Sequence, residues 1–210
     1  MQKRKAGRTS ALMVIMAGLF VLGIYFVTGA VRATDIAPIE PQPQEDALKP
    51  GLAVKYYYGD YRDMAGDGAQ IEALYEQMKS EDGGEGEPLP DLNYKTGEGR
   101  NVLTSKFGKF VGAHITGFIR FPEAGDYTLV MTSNDGVRFT LDGKMLHEDP
   151  DVHPDRDSEP LEVSVAKPGW VALEIGYFQR KGSAALVLKW KGPSGGDFAP
   201  VPAEHYAHTE

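Results

Sequence analysis

The 210-residue sequence contains no cysteine, which removes disulfides, thiolate metal sites, a cysteine nucleophile and the lipidated cysteine of a lipoprotein at one stroke. Stability must come from packing. Basic charge is scarce once the first 33 residues are passed. Lys3, Arg4, Lys5, Arg8 and Arg32 stand there without an acid, which leaves 17 of the 22 basic residues against all 30 acidic ones, a net charge of −13 for the rest. Such a surface repels phosphate backbones, because nucleic-acid affinity comes mainly from basic side chains that neutralise phosphates. No nucleic-acid partner is expected. Also missing are a GxSxG elbow, a phosphate-cradling glycine loop and an HExxH pair. Carboxylates are abundant, but the strongly acidic composition supplies them anyway, and a glycosidase pair needs a fold to be measured across. The chain is therefore read as no enzyme, with no resident cofactor.

Glycine and proline, by contrast, are plentiful at 25 and 14 residues, which favours many turns between short strands. Hydrophobic and charged contents of 41% and 25% are those of a globular chain, and the length suits one domain with an appendage. That appendage is N-terminal. An uncharged apolar run from Ala11 to Val31 follows the basic start and has about the 20 residues a helix needs to cross a bilayer. The positive-inside rule keeps Lys3–Arg8 in the cytoplasm and places everything after Arg32 on the periplasmic or extracellular side. Thr28-Gly29-Ala30 and Val31-Arg32-Ala33 both offer the small-residue pattern of a cleavage site. The run exceeds the usual signal core of about 7 to 15 residues, so residues 1–33 are read as a retained, single-pass signal-anchor.

Residues 34–50 include DIAPIEPQPQEDALKP, with four prolines, and read as an extended linker able to reach roughly 50 Å from the bilayer at about 3.1 Å per residue. The folded domain is expected over 51–210. GLAVKYYY, Gly51 to Tyr58, is rich in strand formers. Between Asp67 and Lys79, Ile71, Leu74, Tyr75 and Met78 recur at helical spacing and predict a short helix that covers the main fold. From Ile115 the period changes to two. Ile115, Ile119 and Phe121; Tyr127, Leu129 and Met131; Val137, Phe139 and Leu141; Leu161, Val163 and Val165; Val171, Leu173, Ile175 and Tyr177; and Leu186, Leu188 and Trp190 each mark one face of a strand. Asp142-Gly143 suits a two-residue type I′ turn, and longer turns fall at Glu123–Asp126 and Arg180–Ser183. The fold class is all-β: an antiparallel β-sandwich with one short helix, besides the N-terminal transmembrane helix.

Three stretches in order, ITGFIRFPEAGDYTLVMTSNDGVRFTLDGK (Ile115–Lys144), PGWVALEIGYFQRKGSAALVLKW (Pro168–Trp190) and VPAEHY (Val201–Tyr206), together resemble the PA-fourteen domain, the β-sandwich known from anthrax protective antigen and yeast flocculin-type adhesins. The resemblance runs from Gly51 to about Tyr206. It implies a module that binds glycans, packs against partner domains or occludes neighbours, and is seldom catalytic by itself. Together with the anchor, it points to an accessory or protein-interaction subunit of a membrane complex. The alternative is a carbohydrate-binding envelope or adhesion module.

The resemblance also nominates a site. In sugar-binding adhesins of the family, two consecutive aspartates in the loop matching Ser133–Gly136 hold a calcium ion that coordinates sugar hydroxyls. Here the pair is Asn134-Asp135, which retains two oxygen donors but loses one negative charge. Two readings follow: a weakened calcium and ligand site, or side chains that cap a turn by bonding to local backbone. Gly136 is read as permitting the bend that follows. Tyr56, Tyr57 and Tyr58 cannot all face inward on a strand, so Tyr57 is a candidate ligand contact, unless it packs under the helix. HEDPDVHPDRD (His147–Asp157) reads as a solvated acidic loop, since it lacks the glycine and closing glutamate of a calcium-binding helix–loop–helix.

Overall fold

The computed structural model describes residues 32–59, 68–80 and 83–209. The expected signal-anchor and both cleavage patterns lie outside them, apart from Arg32 and Ala33. Among the described residues no helix is long and apolar enough to cross a membrane. In chain order the elements are β1 (Thr34–Ile36), β2 (Lys49–Pro50), β3 (Ala53–Tyr58), α1 (Gly68–Ser80), β4 (Gly84–Glu85), β5 (Asn93–Thr96), β6 (Val111–Phe121), β7 (Gly125–Asn134), β8 (Val137–Leu141), β9 (Lys144–Asp149), β10 (Arg156–Asp157), β11 (Leu161–Val165), β12 (Gly169–Gln179), β13 (Ala184–Gly192), β14 (Gly195–Pro200) and β15 (Tyr206–His208).

The strands form two sheets. One runs β1-β11-β7-β13-β14, with β10 on β7 and β5 on β13; the other runs β2-β15-β6-β12-β8-β9, with β3 on β6 and β4 on β3. The all-β sandwich predicted from the alternating pattern is thus what these residues build. Ile115, Ile119 and Phe121 on β6 and Val171, Leu173, Ile175 and Tyr177 on β12 are buried against Tyr127, Leu129 and Met131 from the opposite sheet. Burying one face of each strand drives this packing, at about 25 cal/mol per Å² of apolar surface. The 142–143 turn has positive φ at both residues, 52° and 67°, as a type I′ turn requires.

Helix α1 lies over one end of the outer face of the β6/β12 sheet. Leu74, Tyr75 and Met78 bury themselves against Phe178, flanked by Tyr57, Phe110 and Val152. The predicted start at Asp67 and the side chain of Ile71 lie outside the described residues. Gly176 makes the fit possible, because a Cβ there would stand 2.2 Å from the Tyr75 ring. The Arg138 guanidinium stacks over the same ring, 4.6 Å from its centroid.

Residues 34–50 differ from expectation. They are not a free spacer but a strap along the sandwich. β1 pairs in parallel with β11, Ile36 is buried, and β2 pairs with β15. Gln42 accepts from Trp170 N at 2.7 Å and donates to Trp170 O at 3.1 Å, while Ala37 N donates to Asp142 Oδ2 at 3.1 Å. The prolines leave few donors to satisfy, and side chains supply the contacts that a longer strand would otherwise make. The sandwich therefore begins at Thr34 rather than Gly51, and the 50 Å reach is lost.

Candidate functional site

Register fixes which loops meet. Tyr58 is opposite Val111, and Val111 opposite Gln179; Asn134 is opposite Ala185, and Ala184 opposite Thr96. The ends of β3, β5, β7 and β12 and the starts of β6 and β13 therefore lie at one end of the sandwich, the loop end. Asn134-Asp135 sits at its centre, joined by a cis peptide bond.

Both residues are buried, and both are occupied. Asp135 Oδ1 accepts from His153 N at 2.9 Å, and Oδ2 accepts from Arg180 N at 2.8 Å. Burial raises the Asp135 pKa above the usual carboxylate value, against the lowering effect of these two bonds. The Asn134 carbonyl oxygen accepts from the buried Tyr177 hydroxyl at 2.5 Å. Its side-chain nitrogen donates to Asp155 Oδ1 at 3.1 Å and to Ser183 Oγ at 3.2 Å. That orientation is the one chemistry allows, since an ionised carboxylate can only accept. Lys95 Nζ bonds the other Asp155 oxygen at 3.0 Å. The pair thus ties distant loops together, where a local turn cap was one expectation.

This donor set does not fit a calcium ion. Calcium takes roughly six to eight oxygens at about 2.3–2.6 Å. Here the Asp135 oxygens face N–H donors, the Asn134 amide presents nitrogen, and an ammonium already neutralises Asp155. Among the described residues no group of three or more His, Asp or Glu is arranged to hold a metal. Gly136 is needed for a reason other than a bend: a Cβ there would meet the Phe178 ring at 2.2 Å.

The 147–157 loop is not simply solvated acid. Glu148 pairs with Arg138 at 2.5 Å, Asp149 with Arg156 at 3.4 Å, and Asp157 with Lys189 at 3.2 Å. His153 Nε2 lies 3.2 Å from Asp149 Oδ2, close enough for attraction but not aligned for a hydrogen bond. Asp157 titrates below the usual carboxylate value, chiefly because Thr132 donates to it and then because Lys189 lies beside it.

Tyr57 lines the groove that opens beside α1 rather than meeting the Asn134-Asp135 pair. It is half-buried beneath α1 and donates its hydroxyl to Met78 O. Tyr58, not Tyr57, is the exposed tyrosine of the trio at 49%. Alternation implies one outward tyrosine but does not say which end of the strand a helix will cover.

A second surface escaped the sequence reading. A groove of about 1150 Å³ opens on the outer face of the β6/β12 sheet beside α1, lined among others by Lys55, Lys79, His114, Thr116, Glu174 and His208. His114 Nε2 lies 3.0 Å from Glu174 Oε1, and Lys79 Nζ lies 3.6 Å from the same oxygen. The outward positions of β6 and β12 could have signalled a shared polar face, but their pairing register is not written in either strand.

The PA14 domain family model matches residues 98–203. No curated protein matches the chain in sequence. Among solved structures, a PA14 sugar-binding domain from an RTX adhesin is 18% identical with a TM-score of 0.56, over 76% of this chain and 98% of that one. The A domain of epithelial adhesin 9 from Candida glabrata, in complex with Galβ1-3GlcNAc, is 10% identical with a TM-score of 0.63, over 85% and 97%. An anti-sigma factor domain-containing protein is 16% identical with a TM-score of 0.59, over 77% of this chain but 49% of its own length. The chain thus spans about half of that last protein. At these identities the likeness is one of fold.

Proposed function

Because the chain belongs to the PA14 domain family, we propose that it works as a non-catalytic binding module and accessory, protein-interacting subunit. The apolar segment before Thr34 holds it in a membrane, and the sandwich acts on the periplasmic or extracellular side. The observation that carries the choice of partner is Asp135, whose two oxygens are taken by the backbone of two neighbouring loops. A sugar held through calcium needs those oxygens free. The groove beside α1 supplies the broad, mixed-charge concavity that a protein segment can fill. Few strong anchors are needed there if a membrane segment already raises the local concentration of the partner.

The test is capture of the intact chain from native membranes, with a photo-crosslinking residue in place of the exposed Lys55 in the groove. A discrete crosslinked partner supports the reading. Release as a free monomer in mild detergent, with no crosslink, overturns it. Carbohydrate binding is the second reading, favoured by the likeness to a sugar-binding adhesin domain. A glycan array probed with and without calcium separates the two, since a calcium-dependent hit would contradict the geometry at Asp135.

A further inference from the structure

The stretch from Gly99 to Phe110 is unlike the rest of the surface. It carries Arg100, Lys106 and Lys109 with no acidic residue, in a region of the sequence whose net charge is −13. All three cations are exposed, and none forms an ion pair among the described residues. Glu98, just before the stretch, is its nearest acid in sequence. At its tip Phe107 is 53% exposed and meets Tyr58, itself 49% exposed, edge to face at 4.8 Å. Phe110 lies under Lys109, whose Nζ is 5.4 Å from the ring centroid.

The tip is built rather than loose. Val102, Leu103 and Ser105 are buried at its root, and Val102 N donates to Phe107 O at 2.9 Å. The Ser105 hydroxyl donates to the same oxygen at 2.9 Å. Thr104 donates its N–H to the Tyr56 hydroxyl at 3.0 Å and its own hydroxyl to Glu87 O at 2.7 Å. Two exposed aromatic rings on a hydrogen-bonded loop that carries three cations without an ion-pair partner among the described residues match an interface that is apolar beneath and anionic above.

We infer that the Phe107–Tyr58 tip, with Arg100, Lys106 and Lys109, docks on an anionic lipid surface. The cations meet lipid headgroups, and the two rings enter the headgroup layer. The charge and exposure of the tip carry this inference independently of the membrane-held reading above. Docking would lay the loop end of the sandwich against the bilayer and leave the groove beside α1 open for a partner.

The absence of cysteine makes the test direct. The full chain, carrying Asn101→Cys on the tip or Ala124→Cys in the turn at the opposite end, is labelled with a polarity-sensitive fluorophore. Each is mixed with vesicles of phosphatidylcholine alone or of phosphatidylcholine with phosphatidylglycerol, with brominated lipid as quencher. The expected result is a blue shift and quenching at position 101 on the anionic vesicles, lost in high salt, and neither effect at position 124. Each cation near an anionic surface is worth roughly fivefold in affinity, so K106E/K109E should weaken the tip contact by at least about tenfold. Phe107→Ala should remove the quenching while leaving the fold, read by circular dichroism, unchanged. A solvent-like probe at position 101 on both vesicle types overturns the inference, as does quenching equal to that at position 124. A glycan-array signal that Phe107→Ala abolishes, without vesicle contact, also overturns it and assigns the tip to sugar. Flotation with phosphatidylcholine vesicles alone reports the N-terminal anchor separately, so failure of the anchor is distinguishable from failure of the tip.

Discussion

Removing the Asp135 carboxylate is the perturbation that separates a structural tie from a ligand site. Asp135→Ala deletes acceptors at 2.9 and 2.8 Å from the backbone N–H groups of His153 and Arg180. Each orphaned buried N–H costs about 1–3 kcal/mol. Part of that loss is offset, because the carboxylate itself is buried at a cost, as its raised pKa shows. A net loss of about 2–4 kcal/mol follows, which for a domain of this size lowers Tm by about 5–15 °C. Asp135→Asn keeps one acceptor but turns an amide nitrogen toward the other donor, and should fall between the alanine variant and the parent. The assay is thermal unfolding of the chain in mild detergent with a calcium chelator present. An Asp135→Ala protein with unchanged Tm would refute the tie. So would a parent protein that calcium stabilises by about 2.7 kcal/mol at a hundredfold excess over Kd while the variant stays indifferent to the ion. Linkage gives a second readout. The folded-state pKa is raised, so the stabilisation linked to protonation of Asp135 is fully present below the ordinary value of 3.8 and is lost as pH rises through the folded-state value, a dependence the alanine variant should lack.

Three further outcomes are expected. Gly176→Ala places a methyl 2.2 Å from the Tyr75 ring, which should cost about 1–3 kcal/mol and make residues 68–80 the first site of limited proteolysis, with the sheets intact by circular dichroism. Gln42→Ala removes its bonds to Trp170 and Ile39; a loss of about 1 kcal/mol and faster amide exchange at Trp170 and Ile39 would show that residues 34–50 are held as a strap. Asp157→Asn tests the opposite pH sign. Its pKa is lowered, first by Thr132 and then by Lys189, so its stabilisation is present above 3.8 and disappears as pH falls through the folded-state value, and the variant should show a shallower acid limb in unfolding against pH.

What could be read before folding, and what could not, divides by sequence distance. The faces of β6, β7, β8 and β12, the type I′ turn at Asp142-Gly143 and the apolar stripe of α1 are local patterns, and each needs only neighbours within a few residues to declare itself. The strap is not legible locally, because its three β1 residues pair with a strand 129 positions away and because prolines and charges over 34–50 make a docked segment look like a solvated one. Of the groove, only Tyr57 stands out in the sequence. His114 and Glu174 are 60 residues apart, and only the β6/β12 register brings them together. Asn134-Asp135 is nominated by resemblance as a ligand site or a local turn cap; its actual partners, His153, Asp155, Arg180 and Ser183, come from two other loops that no local rule connects to it.

The same hub explains how one sandwich can offer separate surfaces. Anchoring the 147–157 and 180–183 loops to buried Asp135 and Asn134 turns polar side chains inward, so the middle of the loop end becomes structural. Groups left free to bind are then displaced to its margins: the Phe107–Tyr58 tip on one side, and the His114–Glu174 groove beyond α1 on the outer face of the sheet. Holding a calcium ion there would require an open middle, with carboxylates that accept from a cation rather than from backbone N–H groups. With Asn134 instead of a second carboxylate, and Lys95 on Asp155, an internal ammonium supplies the positive charge. Lys95→Met therefore carries a sharp consequence: with the ammonium gone, Asp155 and Asn134 face each other with an uncompensated negative charge. Any latent affinity of this end for a divalent cation should emerge in that variant first, as a calcium-dependent rise in Tm that the parent chain lacks.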